Sequence, residues 1–156
     1  MAYTRSSSIM RALTRAIRGS AVYPALTGGI HRGFAPEKAP YPLCVMRFVA
    51  SPYLDDWTGR MLVAVVDVVV ISRQSVQADN LDQSLLEALD NAELVVGGQT
   101  HMITRRIADL ELDPEDDGEE KVYTFGGTYE IWTHQHQSAV APRSGYITAD
   151  AVIVTS

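Results

Sequence analysis

The chain has 156 residues, 46% hydrophobic and 21% charged, and its 13 basic and 19 acidic side chains give a formal net charge of −6. That length buries one sizeable core, which predicts a single domain over residues 1–156. The acidic balance excludes general nucleic-acid binding, because phosphate would meet a repulsive field.

No run reaches the roughly 18–20 apolar residues of a membrane-spanning helix, so a soluble protein with no membrane partner is expected. The single cysteine, Cys44, lies in the apolar run LCVMRF and has no internal disulfide partner, as suits a reducing compartment. Charge is unevenly spread. Residues 1–36 hold five arginines (Arg5, Arg11, Arg15, Arg18, Arg32) and no acid, whereas residues 109–120 hold eight acids and no base.

In chain order, SSSIMRALTRAIRGS (6–20) places Ile9, Leu13 and Ile17 four apart with arginines opposite, which predicts an amphipathic helix filling residues 1–20. The serines at 6–8 suit its start and Gly19 its end. A mitochondrial transit peptide has the same Arg-rich, Ser-rich, acid-free composition and is the competing reading; Arg11 and Arg15 interrupt any secretory apolar region. Residues 21–42 are rich in proline and glycine and predict an extended connector with one short strand near Ile30.

Residues 43–51 and 60–72 are rich in β-branched side chains and predict two strands joined by the turn-rich PYLDDWTG. QADNLDQSLLEALDNA (77–92) gathers Leu81, Leu85, Leu86 and Leu89 on one face of a second helix, with Asp79 as its expected cap. A Gly-Gly turn at 97–98 then leads to a strand carrying Met102, Ile103, Arg105 and Arg106, followed by the acidic stretch LDPEDDGEEK, read as a loop. VYTFGGTYEIWTHQ (122–135) predicts a strand with a bulge or bend at Gly126-Gly127, and GYITADAVIVTS near the end predicts one more, within a C-terminal extension at 136–156. The fold class is therefore α+β: a mainly antiparallel β-sheet with an N-terminal helix and a second helix packed on one face.

One strand asks for a partner. In LVAVVDVVVI (62–71) side chains alternate between faces, and both faces are apolar except for Asp67. Two helices cover one face; the other needs the C-terminal segment folded back or a second subunit. Asp67 must be paired or lie at an interface, because a lone buried carboxylate is costly.

The chemistry motifs are weak. Asp113, Glu115, Asp117 and Gly118 match the first half of a calcium loop, but the twelfth position is Thr124 and the flanks are strand-like. His134 and His136 share a strand face, yet two ligands do not make a metal site, and a small metal-binding enzyme built on them is the lesser reading. No nucleophile elbow, Walker loop or zinc-protease motif is present. No enzyme activity, cofactor or metal is expected.

The segment ALTGGIHRGFAPEKAPYPLCVMRF resembles the signature region of the tail-terminator or tail-completion proteins of long-tailed bacteriophages, through Gly29, Ile30, Gly33, Ala35, Pro36, Ala39, Tyr41 and Pro42. The later order agrees over residues 6–134: a long strand ending near Ser72, a helix containing LDQSLLEALDNAEL, and a strand pair ending in TYEIW. The resemblance implies a non-enzymatic virion protein forming a hexameric ring on the tail tube, ending its growth and joining it to the head connector. Another neck component, a head-closure or adaptor protein, is the alternative. On this reading the Pro-rich arm lies across a neighbour, with Phe34, Pro36, Tyr41, Arg105 and Arg106 at contacts with other copies or the tube protein. Glu115, Asp116, Asp117, Glu119 and Glu120 would face the lumen, where their charge lets DNA slide without specific binding.

Overall fold

The computed structural model describes residues 5–51, 53–56, 59–118 and 120–136. The expected C-terminal strand and any C-terminal cover lie outside them. In chain order the elements are helix α1 (Arg5–Arg18), a 3-10 turn at Tyr23–Ala25, strands β1 (Ile30–Arg32), β2 (Leu43–Ala50), β3 (Tyr53–Asp56) and β4 (Gly59–Ser72), helix α2 (Ser75–Leu89), and strands β5 (Thr100–Asp117) and β6 (Glu120–His136). The strands form one sheet in the order β1-β2-β4-β6-β5, with β3 also pairing β4. Among the described residues only the β1-β2 pair is parallel. The α+β class and the mainly antiparallel sheet are as predicted.

Both helices pack on one face of the sheet. From α1 come Ile9, Met10, Ala12, Leu13 and Ile17, and from α2 Leu85 and Leu89; they meet Ala64, Val66, Val68 and Val70 of β4 and Tyr129 and Ile131 of β6 in one cluster. Full burial of each large aliphatic side chain contributes about 1.5–3 kcal/mol, so the four-residue spacing read in the sequence is what fixes α1 on the sheet. Cys44 is buried in the same cluster, where desolvation, with a smaller contribution from Asp82, pushes its thiol up to about 12.

Four local expectations are corrected. The second helix begins at Ser75, so Asp79 lies inside it and does not cap it; the chain enters through Gln74, whose amide donates to the buried Ser72 hydroxyl at 3.2 Å. The turn-rich PYLDDWTG contributes a strand, β3, instead of only a loop. The acidic stretch is not a loop: through Asp117 it is the far half of β5, paired with β6 on both sides of the irregularity between Leu112 and Glu115, and a turn follows at Gly118. Gly126 and Gly127 carry no bulge, for the β4-β6 register runs unbroken from Gly59↔His136 to Ser72↔Tyr123. Irregularities sit on β5, between His101 and Ile103, Arg106 and Ala108, and Leu112 and Glu115, and on β2 between Phe48 and Ala50.

The connector is also more compact than an extended arm. The Gly28 amide donates to Pro42 O at 2.9 Å and the Cys44 amide to Gly29 O at 2.9 Å, so residues 33–41 form a loop closed at its base. A Cβ at Gly28 would collide with Pro40 O, which is why the two legs of that loop meet at a glycine.

Candidate assembly surface

Opposite the helices, the sheet has a face that neither α1 nor α2 covers. Along β4 the residues pointing to the helices are buried, whereas Val65, Asp67, Val69 and Ile71 on the other side are only half-buried. The sequence expectation of a strand apolar on both faces holds, and one of those faces is incompletely covered among the described residues. Asp67 is paired as anticipated: the Arg47 guanidinium donates to it at 3.1 Å and the Thr128 hydroxyl at 2.8 Å.

This face carries a trough of about 330 Å³ lined by Val45, Val69, Ile71, Leu110 and Leu112, with Phe34 at its margin. Phe34 stands 81% exposed, the most exposed large apolar side chain among the described residues. Pro36 beside it is exposed. Tyr41 is half-buried at the other end of the loop, its ring centroid 4.9 Å from the Arg73 guanidinium, and Arg73 also reaches Glu120 at 2.8 Å.

The two adjacent arginines separate onto opposite faces. Arg105 faces the helix-free side, half exposed, and donates to Glu130 at 3.1 and 3.2 Å. Glu130 also accepts from Trp132 Nε1 at 2.8 Å, and that hydrogen bond, together with Arg105, holds its carboxyl below the usual range. Arg106 departs from the expected contact role: only 7% of its side chain is exposed, and it points to the helices. Its guanidinium donates to both carboxylate oxygens of Asp82 on α2, at 3.0 and 2.8 Å, and to Gly126 O. Burial alone would lower the Arg106 pKa, but the hydrogen bonds and charge of Asp82 outweigh it and hold it raised. Tyr129, whose ring centroid is 5.8 Å from that guanidinium, is pushed up to about 12 by burial against the opposing pull of Arg106.

Here the glycine pair finds its use. A Cβ at Gly127 would collide with Arg106, so the strand is bare where the guanidinium crosses it. Sequence reasoning missed this network, although one signal was present. Asp82 falls on the buried stripe of α2 with Ala78, Leu85 and Leu89, and an acid there requires a cation.

The acidic residues end the β5-β6 hairpin. Glu115 pairs with Val122, Asp116 with Lys121 and Asp117 with Glu120, beyond the last β4 partner at Tyr123, so this tip is a two-stranded ribbon standing off the sheet. Glu119 lies outside the described residues. The backbone through Asp113, Glu115 and Asp117 is an extended strand and not the tight loop that calcium-loop ligation needs. His134 is almost buried at 9% exposure and pairs across the sheet with Met61 and Thr100; of His136 only the backbone is described. Among the described residues no group of three or more His, Cys, Asp or Glu side chains is placed to hold a metal.

The fold is similar to a chain in the solved structure of the virion of a native gene transfer agent particle. The match has TM-score 0.66 and 16% identity and covers 85% of this chain and 99% of that one. A second solved structure matches with TM-score 0.51 and 14% identity over 83% and 96% of the two chains. No curated protein matches at a significant level. The family model described as tail completion protein gp17 matches residues 11–134, which span α1, the closed loop and the sheet through His134; the chain belongs to that family and is a structural protein of a phage tail.

Proposed function

We propose that this protein assembles into a hexameric ring on the head-proximal end of the tail tube, where it ends tube polymerisation and forms the joint to the head connector. The observation that carries the reading is the helix-free face: Phe34 is 81% exposed beside an apolar trough that a single chain leaves open among the described residues. An apolar surface of this kind on a virion protein marks a protein-protein contact. In this assembly Phe34, Pro36 and Tyr41 present the closed loop to a neighbouring copy, and Arg105 meets the tube protein from the same face. The hairpin tip, with Glu115, Asp116, Asp117, Glu119 and Glu120, turns its negative charge to the lumen, so DNA passes without specific binding. The role is structural, without catalysis or cofactor, in the virion after assembly in the host cytoplasm.

Electron microscopy of purified tail tubes incubated with the protein in the absence of heads tests the reading. Capping of one tube end and arrest of further subunit addition are expected; free tube ends that keep growing would overturn it. Phe34→Ala should weaken assembly on the order of tenfold or more, as loss of an aromatic anchor does, while leaving the melting temperature unchanged. A lowered melting temperature with normal assembly by the protein that stays folded would place Phe34 in the fold instead.

A further inference from the structure

The two edges of the sheet differ in charge and in shape. At the β1-β2 edge a shallow groove of about 450 Å³ runs between the start of α1 and the sheet, with Met10, Met46 and Phe48 in it and Arg32 and Arg47 on its rim. Arg11 lies one helical turn from Ser7, which also lines the groove, and is exposed. Arg32 and Arg11, both exposed, add positive charge to that of Arg47, which Asp67 partly offsets.

At the far edge, β5 pairs among the described residues only with β6 and leaves its other side open. On this strand Ile107 is 46% exposed and Leu112, at the end of the trough, 56%, and Asp109, Glu111 and Asp113 lie between and beside them, all exposed, with Asp109 also 2.9 Å from Arg106 Nε. The three irregularities on β5 make this edge a poor template for strand addition, because a bulged edge cannot offer a regular ladder to a new strand. Contact with this edge therefore falls to side chains: apolar groups flanked by acids on one side of the molecule, an apolar groove flanked by arginines on the other.

We infer that the outer edge of β5 in one copy docks into the arginine-rimmed groove at the β1 edge of the next, so that copies of this chain join head to tail. Ile107 and Leu112 enter the groove, and Glu111 and Asp113 meet Arg32 and Arg11. Complementary patches at opposite edges of one sheet make a heterologous contact, the type that closes into a ring when its rotation allows. The inference deepens the proposed ring and rests on that reading: it names the surfaces that join its copies. The hairpin tip beyond Tyr123 is left out of the contact.

Two full-length variants test it: Arg11→Glu with Arg32→Glu, and Glu111→Lys with Asp113→Lys. All four positions are exposed, and circular dichroism checks that each variant is folded. Native mass spectrometry and electron microscopy on tail tubes read the assembly. Each variant alone sets like charge against like, and its ring formation should fall on the order of a hundredfold. A one-to-one mixture restores complementarity at every contact, and alternating rings should return at wild-type concentration. Rescue also shows that both chains are folded. Where a variant is too unstable to purify, Arg32→Gln and Glu111→Gln read the same contact and should each weaken assembly several-fold. Wild-type rings together with variants that assemble alone as well as wild type, or folded variants that the mixture does not rescue, would overturn the inference and leave the ring standing. Wild-type protein that forms no ring on tubes overturns the ring itself.

Discussion

Asp82 sits on the buried stripe of α2, and the cost of burying its charge is met by the two hydrogen bonds from Arg106 and by a strand left bare at Gly127. Removing one partner of such a pair strands the other charge. Arg106→Ala is therefore expected to destabilise the fold by about 3–5 kcal/mol, whereas Asp82→Leu with Arg106→Met should come out much nearer to wild type. Urea denaturation of the three proteins checks this, and a double variant as unstable as the single one would refute it. Gly127→Ala should act in the same direction by pushing the guanidinium off its acceptors. The place of Asp82 on the buried stripe of α2 is a signal in the sequence that went unread, and even when read it does not choose between Arg105 and Arg106. That choice is made by the register of β5 on β6, which shifts between His101 and Ile103 and settles which arginine faces the helices. Side-chain period alone leaves a strand's inward face undecided by one residue.

At the level of elements, α1 was legible from its four-residue apolar spacing and the long central strand from its run of β-branched side chains. The acidic half of β5 was not, because Asp, Glu and Pro are poor strand formers and the run reads as a turn. Pro114 lies in the irregularity between Leu112 and Glu115, where a missing N–H removes no ladder bond, and pairing with β6 carries the rest. The β5-β6 pair also holds two groups that make stability depend on pH. Glu130 is held below its ordinary value of 4.5 by Trp132 and Arg105, and burial lowers His101 from 6.5 despite the opposing charge of Glu93, its ring within 2.7 Å of the Thr104 hydroxyl. A group whose pKa is lower in the folded chain binds fewer protons there than in the unfolded chain. Its contribution is therefore complete above the unfolded value and lost as pH falls through the folded one. Thermal melts should show a first loss beginning below about pH 6.5 that His101→Gln removes, and a second beginning below about pH 4.5 that Glu130→Gln removes. An unchanged acid profile in either variant would contradict the assignment for that residue.

For the whole molecule, the arginines of residues 1–36 and the acids of residues 109–120 are visible in the sequence, but only the order β1-β2-β4-β6-β5 sets Arg32 on β1 and Asp109, Glu111 and Asp113 on β5 at opposite edges of one sheet. Two physically different contributions to assembly then separate by their response to salt. In the proposed ring the charged edges act over distance and orient the approach of two copies, and this effect fades as the screening length drops from about 10 Å at 0.1 M salt to about 3 Å at 1 M. The apolar trough beside Phe34 acts only at contact, and ordinary salt does not weaken it. Raising sodium chloride from 0.05 to 0.5 M should thus slow ring formation, followed by light scattering, while changing dissociation of formed rings little. Glu111→Gln should flatten that salt dependence, because it removes charge from the approaching edge. Phe34→Ala should leave the slope of the association rate unchanged and speed dissociation instead. A Glu111→Gln protein with the wild-type salt slope would show that the β5 edge does not steer the encounter, and a flattened slope in Phe34→Ala would show that the two faces do not act independently.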